Sequence, residues 1–241
     1  MLQYSSSAAQ TFGGIISGAG ALVKDTSTLS ALLLTAANTY TGGTTVSAGT
    51  LTLGANNVLA DGGNVTVNSG TLNLGAFSDS VATVSLQGGG TITVSNATAT
   101  LTSSATYDLQ SGSASAILAG TAGAAKTTTG TVTLSGANSY TGATGVNAGT
   151  LKVSGSLADT TAVSVASNAT YQVSSNDTVG SIAGAGAIVL DGSTTLTSGG
   201  DNTSTTFSGA ASGNGALAKS GSGTLTLSLS LIHISEPTRP Y

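Results

Sequence analysis

One five-residue pattern, Gly-Thr-apolar-x-apolar, recurs six times and constrains the fold more than any other feature of the chain. Its glycines are Gly49, Gly70, Gly90, Gly130, Gly149 and Gly223. Their intervals approximate one, one, two, one and four multiples of a unit of about 20 residues, the mark of a stacked-repeat architecture. Ala169-Thr170-Tyr171-Gln172-Val173 fits as a degenerate copy, one further unit after Gly149. Each copy alternates polar and apolar, as a half-buried strand does. Between copies lie further short strands, such as Asn64-Val65-Thr66-Val67 and Ala162-Val163-Ser164-Val165, and turn signals at Asp61-Gly62-Gly63, Asp191-Gly192 and Gly199-Gly200. Two or three short strands per unit is what one turn of a parallel β-helix needs. The expectation is an all-β parallel β-helix of about 11 turns, about 50 Å long at one strand spacing per turn. Leu51, Leu53, Leu72 and Leu74 would stack inside while Thr50 and Thr52 face water. A β-sandwich also uses short strands, but it does not predict a repeat at fixed spacing.

Composition narrows the function. Thr (41), Ser (36) and Gly (35) make up nearly half of the 241 residues, yet 39% of the chain is hydrophobic, enough apolar surface to bury a core. Five basic residues against nine acidic ones, a net charge of −4, argue against nucleic-acid binding. No apolar run approaches the roughly 18 residues of a membrane-spanning helix. The absence of cysteine removes disulfide and thiolate chemistry and leaves the compartment open. The start, MLQYSSSAAQTFGG, lacks the basic and apolar regions of a secretory signal. Leu32-Leu33-Leu34-Thr35-Ala36-Ala37 has some signal character but leads into repeat sequence and reads as a repeat strand. Met1 reads as a start inside a longer frame.

A longer period overlies the short one. Asn38-Thr39-Tyr40-Thr41-Gly42 is matched by Asn138-Ser139-Tyr140-Thr141-Gly142, and each is followed at the same offset by a V-x-A-G-T-L run, at 46–51 or 146–151. Phe12 to Lys24 likewise parallels Phe207 to Lys219. The combination of G-T-L-T-L-S, N-x-Y-T-G and V-x-A-G-T-L-x-V resembles the autotransporter-associated β-strand repeat of bacterial autotransporter passengers, over nearly the whole chain to Ser228. The resemblance implies a right-handed parallel β-helix, exported by type V secretion through a C-terminal outer-membrane β-barrel of the same polypeptide. It also implies display at the cell surface or release, with host or bacterial surface glycans or proteins as partners. Residues 1–228 then form a passenger fragment truncated at both ends, with the barrel outside it and cut strand edges that favour self-association.

Residues 229–239, LSLIHISEPTR, look like a translated sequencing adapter. The copy at Gly130 continues Gly136-Ala137-Asn138-Ser139-Tyr140, whereas the copy at Gly223 departs at Leu229. The expectation is a non-native tail, 229–241. It holds the chain's only His (His233), Glu (Glu236) and Arg (Arg239), and both prolines.

Without that tail, acid–base work would fall to Asp, Lys or Tyr. A Ser-His-Asp triad and His or Cys metal ligation are excluded. Asp61 and Asp79, and Asp159 and Asp177, are each separated by slightly less than one repeat unit, a spacing that places each pair on adjacent turns. Because Leu59-Ala60-Asp61 and Leu157-Ala158-Asp159 are equivalent repeat positions, these aspartates read as turn formers whose carboxylates bond local backbone N–H groups. Asp201 and Asn202 lack a calcium-binding repeat around them. Lys24, Lys126 and Lys219 read as solvated strand-end residues. Gly18-Ala19-Gly20, Gly184-Ala185-Gly186 and Gly213-Asn214-Gly215 read as turns, with no helix to cradle a phosphate. Tyr40, Tyr107, Tyr140 and Tyr171 read as packing on the rod rather than as sugar-stacking platforms. The expectation is therefore a non-enzymatic structural and adhesive rod with no catalytic, cofactor-binding or metal-binding residue and no cofactor. A β-helix polysaccharide lyase or hydrolase is the alternative. A second alternative, ice binding, rests on outward Thr-x-Thr pairs at Thr50/Thr52, Thr91/Thr93, Thr131/Thr133 and Thr224/Thr226.

Overall fold

A computed structural model describes residues 1–26 and 28–228. The tail expected to be foreign, 229–241, lies outside the described residues.

The period becomes a solenoid. Twelve strands from Leu2–Tyr4 to Leu225–Leu227 form one sheet, and eleven from Gln10–Phe12 to Ala210–Gly213 form a second. Their order in each sheet follows the chain, and every pairing in them is parallel, so each strand meets its successor one turn later. Twelve strands bound about 11 turns, each close to the length of the sequence repeat. A third face carries two three-stranded pieces: Asp79–Val81, Thr100–Ser103 and Ile117–Ala119, then Asp177–Val179, Thr195–Ser198 and Ala216–Lys219.

The alternation decides which side chains are inside. Leu32, Leu51, Leu72, Ile92, Ala114, Leu134, Val153, Val173 and Leu190 pair successively along the second sheet. All nine are buried. Thr50 and Thr52 lie on its outward face, half-buried among their neighbours. Val46, Val67, Leu86 and Leu109 form the corresponding column of the first sheet. Burial of such aliphatic chains supplies about 1.5–3 kcal/mol each before entropy is charged. The candidate signal segment is indeed a strand, Ala31–Leu34.

Two placements differ from the sequence reading. Register follows turns, whereas motif spacing counts residues. Gly90 pairs with Gly112 and Gly112 with Val132, so Val132, not Gly130, lies two turns beyond Gly90. The turns there are unequal. On the first sheet Ser85 pairs with Asp108 and Asp108 with Ala125, a long turn followed by a short one. A slip of two residues preserves the inward face. The Gly-Thr-apolar-x-apolar frame thus moves two positions along its strand without exposing its apolar residues. The copy at Gly223 departs further. Its strand, Leu225–Leu227, joins the first sheet against Thr205–Phe207, whereas the other five copies lie in the second.

The motif glycine has a local cause. Gly149 has φ +63°, and a Cβ there would stand 2.4 Å from the Gly130 carbonyl oxygen and 2.5 Å from that of Thr128. Gly192 has nearly the same torsion, φ +58°, with open space around it. Gly192→Ala should therefore cost about 1–2 kcal/mol, the left-handed backbone penalty alone. Gly149→Ala adds a collision with the preceding turn and should cost about 3 kcal/mol or more. Urea denaturation of the two variants checks the ordering.

Candidate functional site

The polar chemistry of the interior gathers at the third face and at the corner between the two long sheets. In the turns that carry N-x-Y-T-G, the third face has no strand; single backbone bonds, such as Asn38 N–H to the Val58 carbonyl (3.2 Å) and Asn138 N–H to the Ser156 carbonyl (2.9 Å), join the turns, and a side chain adds to them. The buried Asn38 accepts from Ile16 N–H (2.8 Å) and donates through Nδ2 to the carbonyls of Ala36 (3.0 Å) and Val58 (2.6 Å). Asn138 repeats the arrangement with Leu118 N–H (3.1 Å) and the carbonyls of Gly136 and Ser156 (both 3.0 Å). Each asparagine spans three successive turns.

An aspartate continues the stitch one turn further. Asp79 accepts from Val58 N–H (3.0 Å), Leu59 N–H (2.9 Å) and Ser80 N–H (2.8 Å). Asp177 accepts from Leu157 N–H at 3.1 and 3.3 Å. Asp79 is 1% exposed and Asp177 6%. This corrects the turn-former reading for these two. They sit in strands and cap backbone N–H groups of the preceding turn, while Asp61 and Asp159 occupy the exposed turns. Burial pushes Asp79 up to about 6 and Asp177 up to about 7, against the pull of their N–H donors, with the nearby Asp61 and Asp159 charges adding to the rise.

The lysines need a correction too. Lys24 and Lys126 are fully buried, in the first sheet's inward column that also holds Val46 and Val146. Lys24 Nζ donates to the carbonyls of Thr26 (2.6 Å) and Ala48 (3.2 Å) and to Ser30 Oγ (2.5 Å). Lys126 Nζ donates to the carbonyls of Thr128 and Ala148, the latter at 3.2 Å. Each ammonium thus satisfies corner carbonyls beside the A-G-T-L run. Burial lowers the pKa of both, opposed by Asp25 and Asp108 respectively. Lys219 is exposed, as read, and donates to the carbonyls of Ser220 and Gly221. Parity carried the missing signal: in Leu22-Val23-Lys24 and Ala124-Ala125-Lys126 the lysine occupies the inward phase of the strand.

The four tyrosines lie inside rather than on the surface. The Tyr40 and Tyr140 hydroxyls hydrogen-bond Thr44 Oγ1 (2.5 Å) and Thr144 Oγ1 (2.8 Å). Tyr107 accepts from Ser103 N–H and Ala119 N–H and reaches the carbonyls of Leu101 and Ala119; burial pushes it up to about 12. The Tyr107 and Tyr140 rings are tilted at 5.9 Å. No hydrogen-bond partner reaches the buried Tyr171 hydroxyl among the described residues.

Open chemistry is sparse around this framework. A shallow groove of about 440 Å³ on the third face is lined by Ser156, Asp159, Asn176, Asp177, Thr178, Thr195 and Thr197. A second, of about 340 Å³, passes Asn38, Tyr40, Asn57 and Asp61. No cluster of three His, Cys, Asp or Glu side chains able to hold a metal occurs among the described residues. Asp201 is engaged by Ser181 Oγ and by the N–H and Oγ1 of Thr203, and Asn202 Oδ1 accepts from Ser222 N–H. The threonine pairs do not form one array. Thr50, Thr71 and Thr91 stack, but the column continues as Ser113, Thr133, Lys152 and Gln172. Thr224 and Thr226 lie away from the second sheet, at the last strand of the first.

A family model described as passenger-associated-transport-repeat matches residues 30–53, 48–74, 125–153 and 217–230. The first and third matches contain Ala31–Leu34 and the buried Lys126, respectively. Comparison with curated proteins and with solved structures gives no match. Among the described residues, no helix is long and apolar enough to cross a membrane.

Removing an inward polar side chain should leave its backbone partners unpaired in the core. Lys126→Ala, which strands two corner carbonyls, and Asn138→Ala, which strands groups on three turns, should each cost about 2–4 kcal/mol. Lys219→Ala should stay within about 0.5 kcal/mol. Urea midpoints of the three variants check this; equal, small effects would refute the capping role.

Proposed function

For a chain that carries passenger-associated transport repeats, the repeats typical of autotransporter passengers, we propose the role of a non-catalytic surface rod that presents an adhesive face. The repeats themselves imply an autotransporter context, with a translocator and secretion to the cell surface. The supporting observation is the uninterrupted parallel ladder of twelve and eleven strands whose inward polar groups are largely spent on neighbouring turns. Such a rod needs no partner domain to bury its core, and its stability accumulates turn by turn. A chain emerging from an outer-membrane barrel can add one turn at a time to the turns already folded, which disfavours backsliding. In this reading the barrel belongs to the same polypeptide, and the adhesive partners are surface glycans or proteins of the host or of other bacteria.

Fused ahead of an autotransporter barrel in a Gram-negative host, residues 1–228 should become protease-accessible on intact cells and raise adherence to host cells or glycan-coated beads several-fold. Retention in the periplasm refutes the passenger reading, and display without adherence refutes the adhesive one.

A second reading, a polysaccharide lyase or hydrolase, is favoured by Asp177, held near 7 by burial in the groove that also exposes Asp159. Release of unsaturated or reducing sugar ends from anionic and neutral polysaccharides tests it, and loss of that release in Asp177→Asn would be required.

A further inference from the structure

Asn214 and Gly215 make the corner between the strands Ala210–Gly213 and Ala216–Lys219, and theirs is the sole Asn-Gly step in the chain. The corner is built like the one at Gly184-Ala185-Gly186. Gly184 and Gly213 have φ +111° and +101°, and a Cβ on either would stand 2.1 Å from a carbonyl oxygen of the preceding turn. The third residue of each corner is as confined. A Cβ at Gly186 would meet the Ala166 carbonyl oxygen at 2.2 Å, and one at Gly215 would meet that of Thr194 at 2.4 Å. Gly186 N–H donates to the Val165 carbonyl (3.1 Å) and Gly215 N–H to the Leu190 carbonyl (3.2 Å). The middle residue is exposed in both corners. Alanine serves there in one of them, so the fold needs glycine at 215 but nothing particular at 214.

The asparagine in that free position is chemically exposed as well. Elsewhere asparagine side chains are held: Asn38 and Asn138 by carbonyls inside the rod, Asn73 and Asn176 through Oδ1, which accepts from Gly75 N–H and Thr195 N–H respectively. Among the described residues none holds the Asn214 side chain. Its Cγ is free to swing toward the nitrogen of residue 215, and glycine puts no Cβ in the way of that approach. The restraint on that nitrogen is its bond to the Leu190 carbonyl, at the long end of N–H···O distances and at an exposed corner.

We propose that Asn214-Gly215 is a site of spontaneous covalent modification, where the asparagine converts to aspartate and isoaspartate through a succinimide. The Gly215 amide nitrogen attacks Asn214 Cγ. The new N–Cγ bond closes the ring as the Cγ–Nδ2 bond breaks, and the amide proton leaves with Nδ2 as ammonia. Water then adds to either ring carbonyl and opens the ring. Cleavage of the N–Cγ bond leaves aspartate; cleavage at the main-chain carbonyl leaves isoaspartate, whose main chain is one methylene longer. Water, with hydroxide as the base, is the whole requirement. Either product adds one negative charge to a chain of net charge −4. Isoaspartate also lengthens a corner whose flanking glycines already lie against the preceding turn.

Ageing the whole chain in warm, mildly alkaline buffer and mapping its peptides by mass spectrometry tests the proposal. The peptide that contains Asn214 should gain the mass difference between oxygen and NH and split into aspartate and isoaspartate forms. It should convert about tenfold faster than any other asparagine-containing peptide of the folded chain, a barrier difference of about 1.4 kcal/mol. Asn214→Ala, on the pattern of Ala185, should keep the urea midpoint and lose the acidic species that isoelectric focusing shows accumulating in the wild type. An Asn214 that stays intact in the folded chain overturns the proposal, whether or not the same peptide converts in urea. So does conversion no faster than at the other asparagines, or an acidic species that accumulates undiminished in Asn214→Ala. The wild-type peptide map decides even where the variant fails to fold.

Discussion

The parallel ladder between successive turns sets the terms for everything else in this rod. A strand that pairs with its own equivalent one turn later places every inward position over another inward position. An aliphatic residue gains from that stacking, because its neighbours above and below are also aliphatic. A charge would face its own repetition at one strand spacing, where like charges repel. Four lysines and eight aspartates in residues 1–228 keep such encounters rare. Where one outward charge does face its column, it is balanced: Lys152 lies 3.6 Å from Asp191, whose carboxylate also accepts from Gln172 and Ser174. Those hydrogen bonds, with the lysine's charge, hold Asp191 below the ordinary carboxyl range.

The same constraint explains why polar groups occur inside at all. The chain must turn at each corner, and turning interrupts the ladder, leaving carbonyls and N–H groups that water cannot reach. Side chains answer them from within: Lys24 and Lys126 at the corner beside A-G-T-L, Asn38 and Asn138 across the third face, Asp79 and Asp177 one turn on. Each acts mainly on backbone atoms, which every turn supplies whatever its sequence. The long sequence period is thus a period of corner solutions laid over a period of strands. An isolated buried ammonium would be costly; one that donates to two carbonyls is much less so.

The fold class, turn number and strand parity were legible because they depend on alternation and spacing, which the six motif copies display directly. The register was less so. Motif spacing cannot see that the turn from Ser85 to Asp108 is longer than the one from Asp108 to Ala125, so the copy at Gly130 lies two positions from where counting places it. The site was partly hidden by residue type. Lysine and aspartate suggest solvent and turns, and that expectation masked the inward phase of Lys24, Lys126, Asp79 and Asp177. Parity within the strand was the better guide: in Asp79–Val81 the aspartate shares a face with the buried Val81. Asn38 and Asn138 were recognised as parts of a motif but not as the bridge that the motif exists to make, because their partners lie a full turn away in either direction.

The third face is where these two periods compete. The first and second sheets hold their pairing through successive turns, and their inward positions are mostly aliphatic, with Lys24, Lys126, Tyr107 and Tyr171 among the exceptions. The third face has strands at 79–81, 100–103 and 117–119, loses them, and regains them from 177. In the gaps, scattered backbone bonds and an isolated bridge between Ala137 and Ser156 continue the pairing, and one asparagine and one aspartate add to it. A ladder spreads its pairing over many equivalent backbone bonds, whereas a side-chain bridge depends on a single residue. Change in sequence should therefore act first on this face, where single side chains carry part of the stitching. For a rod that must be continuous to stand, that division places adaptable chemistry where its failure does not break the ladder.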